Sequence, residues 1–186
     1  MELLRPSLEK LPGYVDALER GWSFDNVRGA DGAREDLDAI RKDPAQFVAS
    51  LYDPAAAGPP IRMLDGSTVP RLPGYRLWMW DGEFCGSIGF RWQPGTSELP
   101  AHVLGHIGYG VVPWKQRRGY ATRALALMLG RARAEGLEYV ELTADPDNEA
   151  SQKVMLANGA VLVERFTKTA HSGGGESLRF RIALRD

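Results

Sequence analysis

Between Gly105 and Thr143 the sequence reads GHIGYGVV, then PWKQRRGYATRALALMLGRARAEG, then, one residue on, EYVELT. The outer segments are apolar with strand-like composition. The middle one places Ala121, Ala124, Leu125, Met128, Leu129 and Ala132 at the i, i+3, i+4, i+7 spacing of one helix face. Gly136 supplies the stop. A strand, a helix and a strand in direct succession leave little freedom. The two strands run parallel and the crossover is right-handed. Helices must then cover the faces of a sheet, which predicts a mixed α/β (α+β) fold.

The rest of the chain fits around this unit. LLRPSLEKLPGYVDALERGW reads as a short strand and a helix, with Ser7 as N-cap and Gly21 as stop. GAREDLDAIRKDPAQFVASLYD reads as two short helices divided at Pro44. PAAAGPP, residues 54 to 60, reads as a loop. YRLWMW and EFCGSIGFRW form a hairpin turned at Asp81-Gly82. Downstream, NEASQKVMLANG is a helix ending at Gly159, and VLVERF and SLRFRIAL are two strands joined by the glycine-rich HSGGGE. With 186 residues and 44% apolar content, one domain spanning 1–186 is expected, residues 1–60 being its helical part and 75–186 its sheet.

Formal net charge is -1, which argues against a nucleic-acid binder. The N-terminus lacks the basic start and apolar run of a signal peptide, and no apolar stretch approaches a membrane span. With a single cysteine, Cys85, no internal disulfide forms. A cytoplasmic protein without a membrane partner is the expectation, as a monomer or homodimer.

The start of the central helix carries the functional signal. The first turn of a helix leaves backbone N–H groups unpaired. No Ser, Thr, Asp or Asn occurs from Trp114 to Gly119 to cap them. The loop holds Lys115, Arg117 and Arg118, and Arg123 follows one turn later. Gly119 allows close backbone approach. Together these predict an anion site suited to phosphate. The plain alternative is a solvated basic loop. Neither a Walker loop nor GxGxxG is present.

VVPWKQRRGYATRAL resembles the acetyl-CoA motif V-x-P-x-x-[QR]-x-x-G-x-[GA] of the GNAT-type N-acetyltransferases, through Val111, Pro113, Gln116, Gly119 and Ala121. Asn148, Ser151 and Gly159 match the family's second signature, N-x-x-[AS] and a closing glycine. The resemblance covers residue 75 to the C-terminus. It implies that the backbone of Gln116, Arg117, Arg118, Gly119, Tyr120, Ala121 and Thr122 wraps the CoA diphosphate. Two central parallel strands would splay, with the pantetheine arm pairing along Val111, Val112 and Pro113. Asn148 would hold the pantetheine end, although a helix N-cap is the compatible plain reading, and Ser151 and Lys153 would lie near the cofactor. The implied reaction is acetyl transfer from acetyl-CoA to a small-molecule or peptide amine, with no metal. Where many members carry an acid tyrosine this chain has Met155, and Ala160 replaces the usual phenylalanine. A non-catalytic CoA-binding module on the same fold is the alternative.

The reaction needs a base for an ammonium of pKa about 10.4. The candidates are His106, His102, Glu98 and Glu141. His106 and Val111 are five residues apart, so an unbulged strand puts them on opposite faces. Glu141 shares a face with Tyr139 and Thr143. Tyr109 shares one with Val111, as an acetyl-pocket wall or a packed aromatic. In an extended segment His102 and His106 stand about 13 Å apart, too far to share a metal ion. Cys85 is expected in the core, and Trp78 and Trp80 on one strand face.

Overall fold

The computed structural model describes residues 1–62, 66–169 and 173–184. In chain order the elements are β1 (Glu2–Leu4), α1 (Leu11–Glu19), α2 (Ala30–Lys42), α3 (Pro44–Ser50), β2 (Tyr52–Asp53), β3 (Ile61–Arg62), β4 (Thr68–Val69), β5 (Gly74–Trp80), β6 (Phe84–Arg91) and β7 (Ile107–Val111). A 3₁₀ turn, Pro113–Lys115, leads to α4 (Tyr120–Ala134), β8 (Tyr139–Ala144), α5 (Glu149–Leu156), β9 (Val161–Thr167) and β10 (Glu176–Ala183).

The fold is mixed α/β with helices against the sheets. The strands form two principal antiparallel sheets. One has the order β1-β5-β6-β7, with β2 also on β5, and the other β8-β10-β9. β7 and β8 are joined by the α4 crossover, yet they share no ladder. They meet at one point, where His106 N donates to Glu141 O at 2.7 Å. Gly105 allows this approach, because a Cβ there would sit 2.9 Å from Glu141 O. Beyond His106 the strand backbones part, and among the described residues no backbone hydrogen bond joins them. The open edge of β7 is one wall of a notch.

α4 spans both sheets on one side. Ala124, Leu125, Met128, Leu129 and Ala132 are buried against Leu77, Met79 and Ile88 of one sheet and Val140, Leu142 and Phe180 of the other. On the opposite face α1 to α3 cover Trp78, Phe84 and Val112. Tyr14 of α1 is fully buried there, stacked on Trp78 at 5.3 Å between ring centroids.

One local expectation needs correction. Ser7 is not the cap of α1. The helix begins at Leu11 with Lys10 as N-cap, and the Ser7 hydroxyl only accepts Lys10 N–H within a preceding turn. Residues 54–60 form a loop, as expected, and the short β3–β4 pair that follows it went unrecognised. Two-residue strands are too short to leave a period in the sequence. The break at Pro44 is as expected, with Asp43 accepting Gln46 N–H to cap α3. Residues 171 and 172 of the HSGGGE connection lie outside the described residues, while Gly173, Gly174 and Gly175 all have positive φ.

Candidate active site

The mouth of α4 is uncapped. Gly119 is the N-cap residue at φ 73°, and no side chain bonds the first turn. Arg117 also has a positive φ, 62°, unusual for a residue with a Cβ. Among the described residues the N–H groups from Arg117 to Thr122 have no hydrogen-bond acceptor. A Cβ on Gly119 would point into open space, so the face beside these donors is free for a guest. The loop lies against β7 through Gln116, whose Nε2 donates to Val111 O at 3.3 Å. A row of unpaired amides at a positive helix end, flanked by exposed Arg117 and Arg118, is the arrangement that binds a diphosphate.

One cation expected in this loop is elsewhere. Lys115 is buried and its ammonium contacts Asp81 Oδ1 and Glu83 Oε2, each at 2.9 Å. The Tyr120 hydroxyl donates to Asp81 Oδ2 at 2.5 Å, so Tyr120 faces the β5–β6 turn with its side chain and the loop with its amide. The Tyr120 hydrogen bond, helped by Lys115, holds the Asp81 carboxyl well below the usual range. Asp81 thus clamps both ends of the anion loop. Its position in the Asp-Gly turn suggested only hairpin geometry, and nothing in the sequence reported a contact with Lys115.

The second motif borders the notch. Asn148 Oδ1 accepts Ser151 N–H at 3.1 Å, so it caps α5. Ser151 Oγ is 2.9 Å from the Tyr109 hydroxyl, which links β7 to α5 across the gap between the sheets. Burial pushes the Tyr109 phenol up to about 12. Lys153 is exposed and paired with Glu149 at 3.0 Å. Met155 is fully buried in the core. Asn158, which the sequence did not single out, donates to Thr122 O at 3.2 Å and Val154 O at 2.9 Å, tying α5 to the first turn of α4.

The base candidates fare differently. His106 is fully buried, and its Nδ1 accepts Glu141 N–H at 2.9 Å. Burial lowers it to about 4, so it is neutral at physiological pH. With no path to an acceptor amine, it is a structural residue at the junction of the sheets, as the one-contact geometry of β7 and β8 requires. Glu141 is also engaged: Arg179 Nη1 lies 2.9 Å from Oε2 and Arg181 Nη2 2.6 Å from Oε1. Burial raises the Glu141 carboxyl, but the Arg181 and Arg179 hydrogen bonds outweigh it and leave it lowered. A carboxylate held by two guanidinium groups is a poor base. Glu98 is exposed on a loop, and His102 lines a cleft. Cys85 is buried and its thiol is raised to about 12, mainly by burial, which suits a core residue. Among the described residues no group of three or more His, Cys, Asp or Glu could hold a metal ion.

The cleft of about 420 Å³ lies on the α2–α3 side of β5, β6 and β7. Its floor includes Gly89 and Gly108, and its walls include Phe24, Arg76, Arg91 and His102. A Cβ on Gly108 would meet nothing within 4 Å. The cleft therefore opens beside the notch edge of β7, on the face opposite α4.

Residues 27–161 match the profile of the acetyltransferase (GNAT) domain. The chain belongs to the GNAT acetyltransferase family. Within this family its fold is similar to the crystal structure of the Microcin C7 self immunity acetyltransferase MccE in complex with acetyl-CoA and AMP. That likeness has a TM-score of 0.61 and 13% identity over 97% of this chain and 91% of the other. A second is the Salmonella typhimurium acetyl transferase that modifies the N-terminal serine of 50S ribosomal subunit protein L7/L12. There the TM-score is 0.61 and identity 14%, over 97% of this chain and 93% of that one. No curated protein matches the sequence. At these identities the structural likeness carries the fold. What this GNAT chain acts on has to come from its own site.

Proposed function

We propose that this chain is an N-acetyltransferase that takes acetyl-CoA as co-substrate and transfers its acetyl group directly to an amine in a ternary complex. The observation that carries this reading is the unpaired run of amides from Arg117 to Thr122 beside the free edge of β7. The amides hold the diphosphate. The Val111–Pro113 edge receives the pantetheine arm and aims the thioester along the notch. Asn148 and Ser151 border the arm, and Lys153, two residues on, is exposed. The whole span acts as one domain, because α1 to α3 cover the same sheet whose edge forms the notch.

The acceptor enters from the cleft over Gly108. Its nitrogen lone pair attacks the thioester carbonyl carbon, so a C–N bond forms. The oxyanion is met by amides near Val111 and Val112. The C–S bond then breaks, the electron pair leaves with sulfur, and the ammonium proton passes to solvent water in the open cleft. Neither His106 nor Glu141 is placed to take that proton. Tyr109 keeps its proton at neutral pH and stands at the gap, so it is the proton donor to the departing sulfur in place of the residue missing at Met155. A thiol of pKa about 8.5 also leaves acceptably as thiolate.

A second reading, a CoA-binding module without catalysis, is favoured by one observation: no described residue at the notch is a free base. A panel of amines assayed by thiol detection of released CoA separates the two. Amine-dependent CoA release supports the enzyme. CoA binding with no release above the amine-free rate supports the module.

A further inference from the structure

This inference rests on the acetyl-transfer reading and concerns which amine the cleft admits. Three arginines, Arg71, Arg76 and Arg91, line the cleft, and among the described residues the acidic one in its lining is Asp53. Asp53 accepts the N–H groups of Ala57 and Gly58 at 2.8 and 3.0 Å and lies 3.9 Å from Arg71 Nε. Arg71 also donates to Pro59 O at 3.0 Å. Arg76 lies 3.7 Å from Asp36, donates to the Tyr14 hydroxyl at 3.1 Å and stacks on Phe24 at 4.1 Å. These two arginines are matched within the protein.

Arg91 is not. Its Nε donates to Gly105 O at 3.0 Å, and among the described residues no carboxylate lies within ion-pair distance of it. That single bond anchors one edge of the guanidinium plane. Among the described residues the terminal nitrogens make no hydrogen bond or ion pair, which leaves this cleft-lining arginine a forked donor pair able to receive a carboxylate or phosphate at two points. Arg91 follows Gly89 by two residues on the same strand face, and Gly89 pairs with Gly108. Two strand residues span about 7 Å, so one compact molecule reaches both Arg91 and the open space over Gly108.

We propose that the acceptor carries an anionic oxygen group beside its amine, and that Arg91 binds this group while the amine rests over Gly108 at the notch edge. Arg91 is then the residue that sets acceptor specificity. Arg71 and Arg76 add positive potential, each with a carboxylate within ion-pair distance that Arg91 lacks among the described residues, and His102 also lines the cleft.

The test compares L-amino acids with their carboxamides, and phosphoethanolamine with ethanolamine, as acceptors at subsaturating concentration. At least one anionic member should exceed its neutral partner about tenfold or more. The pair that shows the preference tells carboxylate from phosphate. In Arg91→Gln the preference should fall to near one through a raised KM for the anionic member, and Arg91→Lys should restore part of it. KM for acetyl-CoA serves as the folding and cofactor-site control. Isothermal titration of the same compounds into the CoA-loaded chain answers the question without turnover. Anionic members that bind the wild type and not Arg91→Gln support the site even if no amine is acetylated, in which case the transfer reading alone falls. Equal use of charged and neutral partners, or a preference unchanged in Arg91→Gln, overturns the proposal while leaving acetyl transfer intact.

Discussion

Lys115 Nζ lies 2.9 Å from Asp81 Oδ1, and Tyr120 holds the other oxygen of the same carboxylate. The two ends of the loop that frames the helix mouth are therefore fixed to one turn residue on a different strand pair. Replacing Asp81 with Ala leaves a buried ammonium with Glu83 alone. It should lower unfolding stability by about 2–3 kcal/mol. It should also weaken CoA binding about tenfold, since the amides lose their common support. Urea unfolding and isothermal titration read the two effects separately.

A side chain at position 119 should compete with the diphosphate. Gly119→Val adds both bulk and strain at φ 73°. Gly119→Asn tolerates a left-handed backbone far better and isolates the bulk. Both should weaken CoA binding by about a hundredfold or more, while Asn costs under about 1 kcal/mol of stability. CoA titration paired with thermal unfolding distinguishes the two.

Tyr109→Phe removes the bridge to Ser151 and the proposed proton donor. Loss of one such bond should cost about 1 kcal/mol of stability. If the phenol protonates sulfur, kcat should fall by about tenfold to a hundredfold with KM for acetyl-CoA little changed. A Met155→Ala exchange behaves oppositely. It empties a fully buried site, so about 2–5 kcal/mol of stability is lost while the chemical step at matched folded fraction is preserved.

Stability should depend on pH through His106. Its folded pKa, about 4, lies below the ordinary value of 6.5. The unfolded chain thus takes up the proton first. The stabilising effect is complete above about pH 6.5 and is lost as pH falls toward 4, amounting to about 2 kcal/mol between neutrality and pH 5. Glu141 and Arg91 face the ring. Glu141, whose folded value is lowered, adds a loss only further into acid. Urea unfolding of wild type and His106→Gln across this range should show the slope above pH 5 in the first and little of it in the second.

The sequence resolved the parts of this molecule that are periodic and local. The buried face of α4 coincides with the apolar positions of the 120–134 segment, because helix burial follows from spacing alone. The break at Pro44 and the uncapped helix mouth were legible for the same reason. The role of Asp81 was not, because its partner is 34 residues away and a turn signal explained the residue without it. The surroundings of His106 were not legible either, because the division into two sheets decides them. A strand pattern reports alternation and not which neighbour a strand abandons. No motif marks Arg91 in the sequence, and only the ion-pair partners of Arg71 and Arg76 make its lack of one among the described residues visible.

The account depends on backbone amides at the start of α4 gripping a diphosphate. Titrating CoA, and separately pantetheine, into ¹⁵N-labelled protein and following the amide resonances reads this directly. The resonances of Arg117 to Thr122 should shift with CoA and saturate at one equivalent, and stay in place with pantetheine, which has no phosphate. CoA that binds while those amides remain unmoved would contradict the account.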